Sequence, residues 1–117
     1  MRHHNKNRTL GRVKRQREAL LSSLARSLVL HEGITTTVAN AKELRPYAER
    51  LISAAKKNTL ASRRKVLNEI GDSAAVKKLH NELRDRFASR AGGYTRIVRL
   101  GRVGKRMIES ARIELVK

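Results

Sequence analysis

Cysteine and tryptophan are absent from this 117-residue chain, and proline occurs once. Without cysteine there is neither a disulfide nor a thiolate metal site, which fits a reducing compartment. The only aromatic side chains of the Phe, Tyr and Trp class are one phenylalanine and two tyrosines. Proteins that read single-stranded bases usually stack them on such rings, so that mode does not dominate here. Long apolar runs are missing too, and none approaches the roughly 20 residues of a membrane span. The opening MRHHNKNRTLGR has no apolar signal-peptide core and is too poor in serine and apolar residues for a transit peptide, so neither is expected. Acidic residues are scarce: 10 Asp and Glu stand against 28 Lys and Arg, for a net charge of +18 and a pI of about 11.6. Such a charge repels itself unless a polyanion neutralises it. Nucleic acid and anionic membrane surfaces are the usual polyanions.

Catalytic groupings are also missing. Of the four histidines, His3 and His4 lie near the start and His31 and His80 on separate expected helices, none at close ligand spacing. No Ser/His/Asp set can be argued from spacing. The reading is therefore a non-enzyme with no catalytic residue, no metal ligand, no cofactor and no small-molecule substrate. Gly101-Arg102-Val103-Gly104-Lys105-Arg106 contains Gly-Lys, but no Ser or Thr follows the lysine as a phosphate-binding loop requires. It also matches Gly-x-x-Gly, but that loop joins helices in KH domains, whereas strands flank it here. It reads as a hairpin tip.

What is present falls into order along the chain. Residues 1–14 are basic, acid-free and almost without large apolar residues, and so read as an extended arm. Residues 15–117 read as one domain of ordinary length. Leu20, Leu21, Leu24, Ala25, Leu28 and Val29 predict a helix over 15–31, with Gly33 as its stop. Ile34–Val38 predicts a short strand, after which Thr36 or Thr37 caps a helix over 38–57. The apolar register of that helix runs through Pro46, so one kinked helix is expected rather than two. A third helix over 60–70 should face inward with Leu60, Leu67 and Ile70. A fourth over 74–87 should do so with Val76, Leu79, Leu83 and Phe87, and with His80 packed beside that stripe. The period then changes from helical to alternating: 94–100 and 107–116 predict two strands. The sum is an α/β (α+β) two-layer fold, α-β-α(3)-β(2), with a small mixed sheet, helices on one face and the other face left for a partner.

Basic residues concentrate in three places. The arm offers Arg2, His3, Lys6, Arg8, Arg12 and Lys14, joined by Arg15 at the helix start. The third helix offers Arg63 and Arg64. The longest acid-free basic stretch is residues 86–106, where Gly92-Gly93 predicts a tight turn opening onto a strand. Arg90, Gly92, Gly93 and Tyr94 form that turn, Arg96 and Arg99 lie along the strand, and Arg102, Lys105 and Arg106 make the tip. Arginine adds bidentate geometry to charge, which suits phosphate. Tyr94 either stacks on a base or packs on the sheet. With so few aromatics, recognition of a folded RNA by shape and backbone fits best.

The residues Met1-Arg2-His3, Ile34-Thr35-Thr36-Thr37, Ala41-Lys42-Glu43-Leu44-Arg45, Arg90-x-Gly92-Gly93-Tyr94-Thr95-Arg96-Ile97 and Ile113-Glu114-Leu115 stand in this order over nearly the whole chain. In them the sequence resembles the bacterial large-subunit ribosomal protein L17 family. The resemblance implies the α-β-α(3)-β(2) fold and a structural role on large-subunit ribosomal RNA, near the side where the nascent chain emerges. It also implies neighbouring large-subunit ribosomal proteins as partners, no membrane, and a cytoplasmic, ribosome-bound location. Two stretches, GRVKRQR at 11–17 and the wholly basic tip at 101–106, depart from the family pattern and raise the local charge. The alternative is a nucleoid-type DNA-binding protein, which would call for a dimer and a recognition helix.

Overall fold

The structure, a computed structural model, describes residues 10–117. The first nine residues, which hold most of the expected arm, lie outside the described residues.

Helix α1 spans Lys14–His31 and buries Ala25, Leu28 and Val29, with Leu21 and Leu24 partly buried beside them. Its stop is Glu32 rather than Gly33. Glu32 takes the left-handed conformation at φ 63° and its N–H bonds to the Leu28 carbonyl at 2.7 Å. Gly33 instead opens strand β1, Gly33–Thr37. A Cβ on Gly33 would collide with the guanidinium of Arg112, which lies across it.

Thr37 then caps helix α2, Val38–Lys57, its hydroxyl accepting from the Asn40 N–H at 3.1 Å. The six residues of its apolar register, Ala41, Leu44, Ala48, Leu51, Ile52 and Ala55, are all buried, and Pro46 sits inside one continuous helix. Asn58 ends α2 in the left-handed conformation. Thr59 begins α3, Leu60–Ile70, through a reciprocal capping box with Ser62. Here the expected inward face is corrected in part: Ile70 is buried as expected, together with Val66 and Ser62, whereas Leu60 and Leu67 are exposed. The capping box draws Ser62 inward, and the i, i+4, i+8 row through Ser62, Val66 and Ile70 becomes the core face.

Asp72 caps α4, Ser73–Lys78, accepting from the N–H groups of Ala74 and Ala75. The helix runs on through a π-helical turn at Leu79–Leu83 into α5, Arg84–Arg86. Leu79, Leu83 and Phe87 are buried as expected, Val76 only partly.

Strands β2 (Thr95–Val103) and β3 (Ile108–Leu115) form a hairpin. β2 continues three residues past its expected end. It passes a register shift between Arg99 and Gly101, so Gly101 and Arg102 belong to the strand and not to the tip. The tip is a tight turn, Gly104 to Met107, closed by the Met107 N–H on the Gly104 carbonyl at 3.1 Å. The sheet order is β1-β3-β2, and both pairings are antiparallel rather than mixed. Ile34, Ile113 and Ile97 line up across it on the inner face, under α1 and α2. Arg96, Val98 and Arg112 lie on the opposite, uncovered face, as strand alternation requires. The observed order of elements is the expected two-layer α+β arrangement.

Candidate nucleic-acid interface

The glycine turn is held from within. Tyr94 is buried, its ring centroid 5.0 Å from that of Phe87. Its hydroxyl receives a hydrogen bond from Lys56 Nζ at 3.1 Å and lies 3.4 Å from Ser53 Oγ. The same Lys56 ammonium donates to the Arg90 carbonyl and stands 5.1 Å from the centre of the Tyr94 ring. Burial pushes the Tyr94 hydroxyl up, but the Ser53 and Lys56 bonds outweigh it and leave the pKa lowered. Thr95 Oγ1 donates to Glu49 at 2.9 Å, fixing the strand that follows. Tyr94 is thus packed, with its ring against Phe87 and Lys56. It thereby anchors the turn, in which Gly92 and Gly93 stay exposed and Gly93 adopts φ 65°.

Two cationic surfaces flank this turn. The first is a groove of about 480 Å³ between α2 and the turn, lined by Arg50, Lys57, Lys65 and Gly92 among others. Sequence reasoning noted Lys65 only beside Arg63 and Arg64 on the basic side of the third helix, and it missed Arg50 and Lys57. Their only signal was the seven-residue step from Arg50 to Lys57, which places them on one side of α2, off its buried stripe. Glu49, the acid of that groove, is engaged by Thr95 and by Arg45 at 3.7 Å.

The second surface is the open face and tip of the hairpin. Arg96 holds Glu114 at 2.5 Å, and Arg112 holds its other oxygen at 3.2 Å. These contacts, Arg96 first, lower the Glu114 pKa. One carboxylate between two guanidiniums leaves a net positive charge. Arg102 meets Glu109 only at 4.0 Å. Arg99, Lys105 and Arg106 are exposed and make no ion pair with a described residue. Exposed Val98, Leu100, Val103, Met107 and Ile108 lie among these cations.

The remaining expected residues are dispersed. Arg2, His3, Lys6 and Arg8 lie outside the described residues. Arg12 donates to the Leu10 carbonyl at 2.7 Å, and Lys14 stands 4.0 Å from Glu18. Lys14, Arg15 and Arg17 crowd the start of α1, which has no side-chain cap and no acid in its first turn. Cations at a helix N-terminus oppose its dipole, and Glu18, Glu43 and Glu69 line the same pocket as Lys14 and Arg17. Arg90 reaches the Gly93 carbonyl at 3.4 Å, bracing the turn. Arg63 and Arg64 sit on the exposed side of α3, away from the hairpin's sheet face.

The acids, by contrast, are occupied. Glu32 binds Lys78 and Arg86, Glu69 accepts from Tyr47 at 2.8 Å, and Glu82 pairs with Arg86 at 3.2 Å. Burial first, and then Glu69, raises the Tyr47 pKa. Among the described residues no group of three or more His, Cys, Asp or Glu is placed to hold a metal ion, and no helix is long and apolar enough to cross a membrane. What this surface can do is bind anions along two faces that meet at the glycine turn.

Comparison with known proteins gives a consistent answer. A family model described as Ribosomal protein L17 matches residues 20–116. A large ribosomal subunit protein bL17 of a Hydrogenobaculum species is 53% identical over 100 residues, covering 86% of this chain and 85% of its own. That of Erythrobacter litoralis is 45% identical over 116 residues, covering 99% and 83%. That of Rickettsia bellii is 50% identical over 101 residues, covering 86% and 71%.

Proposed function

The chain belongs to the ribosomal protein L17 family, and from that premise we propose how this structural protein of the large ribosomal subunit engages its RNA. The arm of residues 1–14 and the hairpin neutralise phosphates of large-subunit ribosomal RNA, and the domain of residues 15–117 carries the hairpin. The groove beside Gly92-Gly93 takes a further stretch of backbone. It acts in the cytoplasm, bound to the ribosome, with neighbouring ribosomal proteins as its other contacts. The observation that carries this reading is the asymmetry of the charges: Glu32, Glu49 and Glu114 are engaged in local bonds, and the hairpin cations Arg99, Lys105 and Arg106 pair with no described acid.

The mechanism is electrostatic. Each phosphate contact releases condensed counterions, so roughly 6–10 contacts lower affinity by about 10³–10⁵ between 50 and 200 mM salt. Shape adds to charge, because the packed turn and the short hairpin present the cations in one arrangement.

The test is co-sedimentation with ribosomal subunits through a sucrose gradient at low and at high salt. Retention on the large subunit at high salt is expected. Salt-labile association spread over all RNA and DNA would leave a generic polyanion binder.

A further inference from the structure

A second site lies on the helical side of the molecule, between α3 and α4. It is a pocket of about 260 Å³, walled by Leu67 and Val76 and lined also by His80 and Asn81. Its cations are Arg63, Arg64 and Lys77, and no acid lines it. The volume is below the roughly 300–1,000 Å³ of ordinary small-molecule sites, which leaves room for one ring system and little more.

Two features distinguish this pocket from a plain surface dent. Leu67 is 46% exposed, a large aliphatic side chain standing among cations. His80 is 6% exposed, and neither of its ring nitrogens has a hydrogen-bond partner among the described residues. The Ala55 backbone approaches the ring without completing a bond of good geometry. Burial, and then the Arg63 charge, lower the His80 pKa, so the ring is neutral at pH 7 and carries one donor and one acceptor. Both nitrogens are shut off from the surface, so the ring lines the pocket through its carbons. His80 and Asn81 also sit in the π-helical turn, a distortion frequent at functional sites.

We propose that this pocket receives a single unstacked base of the ribosomal RNA, with the flanking phosphates on Arg63, Arg64 and Lys77. The proposal rests on the RNA-binding reading above and adds a site to it. Charge decides the occupant. The acids of these helices are engaged elsewhere: Glu69 with Tyr47, Asp72 in its cap, Glu82 with Arg86 and Asp85 with Arg84. Arg64 and Lys77 make no ion pair or hydrogen bond with another described residue through their side chains, and Arg63 bonds only to the neutral Asn58 amide at 3.0 Å. An apolar side chain from a neighbouring protein would fill the pocket but leave the cations uncompensated. A nucleotide brings a flat ring and an anion together. The base comes from a loop or bulge, where it is already unpaired and the cost of turning it out is least.

The test uses the full chain and a large-subunit ribosomal RNA transcript, with affinity measured across a salt series. Leu67→Asn removes the apolar wall at an exposed position and leaves the net charge unchanged. Roughly tenfold weaker binding is expected, the loss of one stacked or enclosed base, with an unchanged slope against salt. Arg64→Ala combined with Lys77→Ala should instead flatten the slope. Chemical probing of the bases should show one base protected by the wild-type protein and reactive with Leu67→Asn. Unchanged affinity and probing for Leu67→Asn, alongside weakened binding by Arg99→Ala in the hairpin, would overturn the pocket alone. Failure of the wild-type chain to bind the transcript would overturn both readings.

Discussion

At the scale of single residues, Glu32 shows how this basic chain uses its few acids. A left-handed backbone at a residue with a Cβ costs on the order of 1–2 kcal/mol. Glu32 adopts it at the end of α1, where its carboxylate joins Arg86 and, at 3.0 Å, Lys78. The strain is thus tied to a clasp between α1 and the α4–α5 helix. The hydrogen bond from Arg86, followed by that from Lys78, lowers the Glu32 pKa from 4.5 to about 2. A carboxylate whose folded pKa is depressed stabilises the fold above its ordinary pKa and loses that contribution as pH falls through the folded value. Glu32→Gln is therefore expected to lower stability by about 1 kcal/mol at pH 7, given partly exposed but charge-assisted bonds. The two proteins should converge between pH 4.5 and about 2. Urea unfolding at several pH values checks this; a gap that persists at pH 2 would place the source elsewhere than the carboxylate.

At the scale of elements, the hairpin separates fold from function. β1 pairs with β3 only from Ser110 to Glu114, so the Val103–Ile108 end of the hairpin extends beyond the three-stranded part of the sheet. Lys105 and Arg106 sit at its turn and are exposed. Replacing both with Ala should leave unfolding within about 0.5 kcal/mol of wild type. It should also reduce the salt slope of RNA binding by about 1–2, near 0.7–0.9 per lost phosphate contact. An unchanged slope would remove the tip from the interface. This element was legible in the sequence from its glycines and its alternation, but its tip was expected to be longer. The register shift after Arg99 carries Gly101 and Arg102 into the strand; its local signal is Gly101 at φ 87°, which reads equally well as the start of a turn. The buried stripe of α2 was fully legible because six apolar residues repeat over 20 residues. In the 11 residues of α3, Leu60, Val66, Leu67 and Ile70 allow two faces, and the choice is made by neighbours that the sequence does not name. The candidate site was legible in the same uneven way. Charge runs marked the hairpin, whereas Arg50, Lys57 and Lys65 become one groove only after α2 and α3 pack.

For the whole molecule, the excess of 28 cations over 10 acids makes salt act on two processes with opposite signs. In the free protein, most charge pairs are repulsive, and the surface ion pairs that oppose them are individually weak. Added salt screens both over a Debye length of about 8–10 Å near physiological strength. The repulsion, being more numerous and longer in range, loses more. The unfolding temperature of the free chain is thus expected to rise with sodium chloride between 50 and 200 mM. RNA binding is expected to weaken over the same range, because counterion release contributes less. Bound RNA itself should raise the unfolding temperature, since a ligand that prefers the folded state stabilises it by mass action, and this increment should shrink as salt rises. Thermal unfolding of the protein with and without a large-subunit ribosomal RNA transcript, at each salt concentration, reads both trends from one set of samples. If the free protein were instead destabilised by salt, the ion pairs would outweigh the repulsion. The charge would then be accommodated by the fold itself, and its magnitude would no longer argue for a polyanion partner.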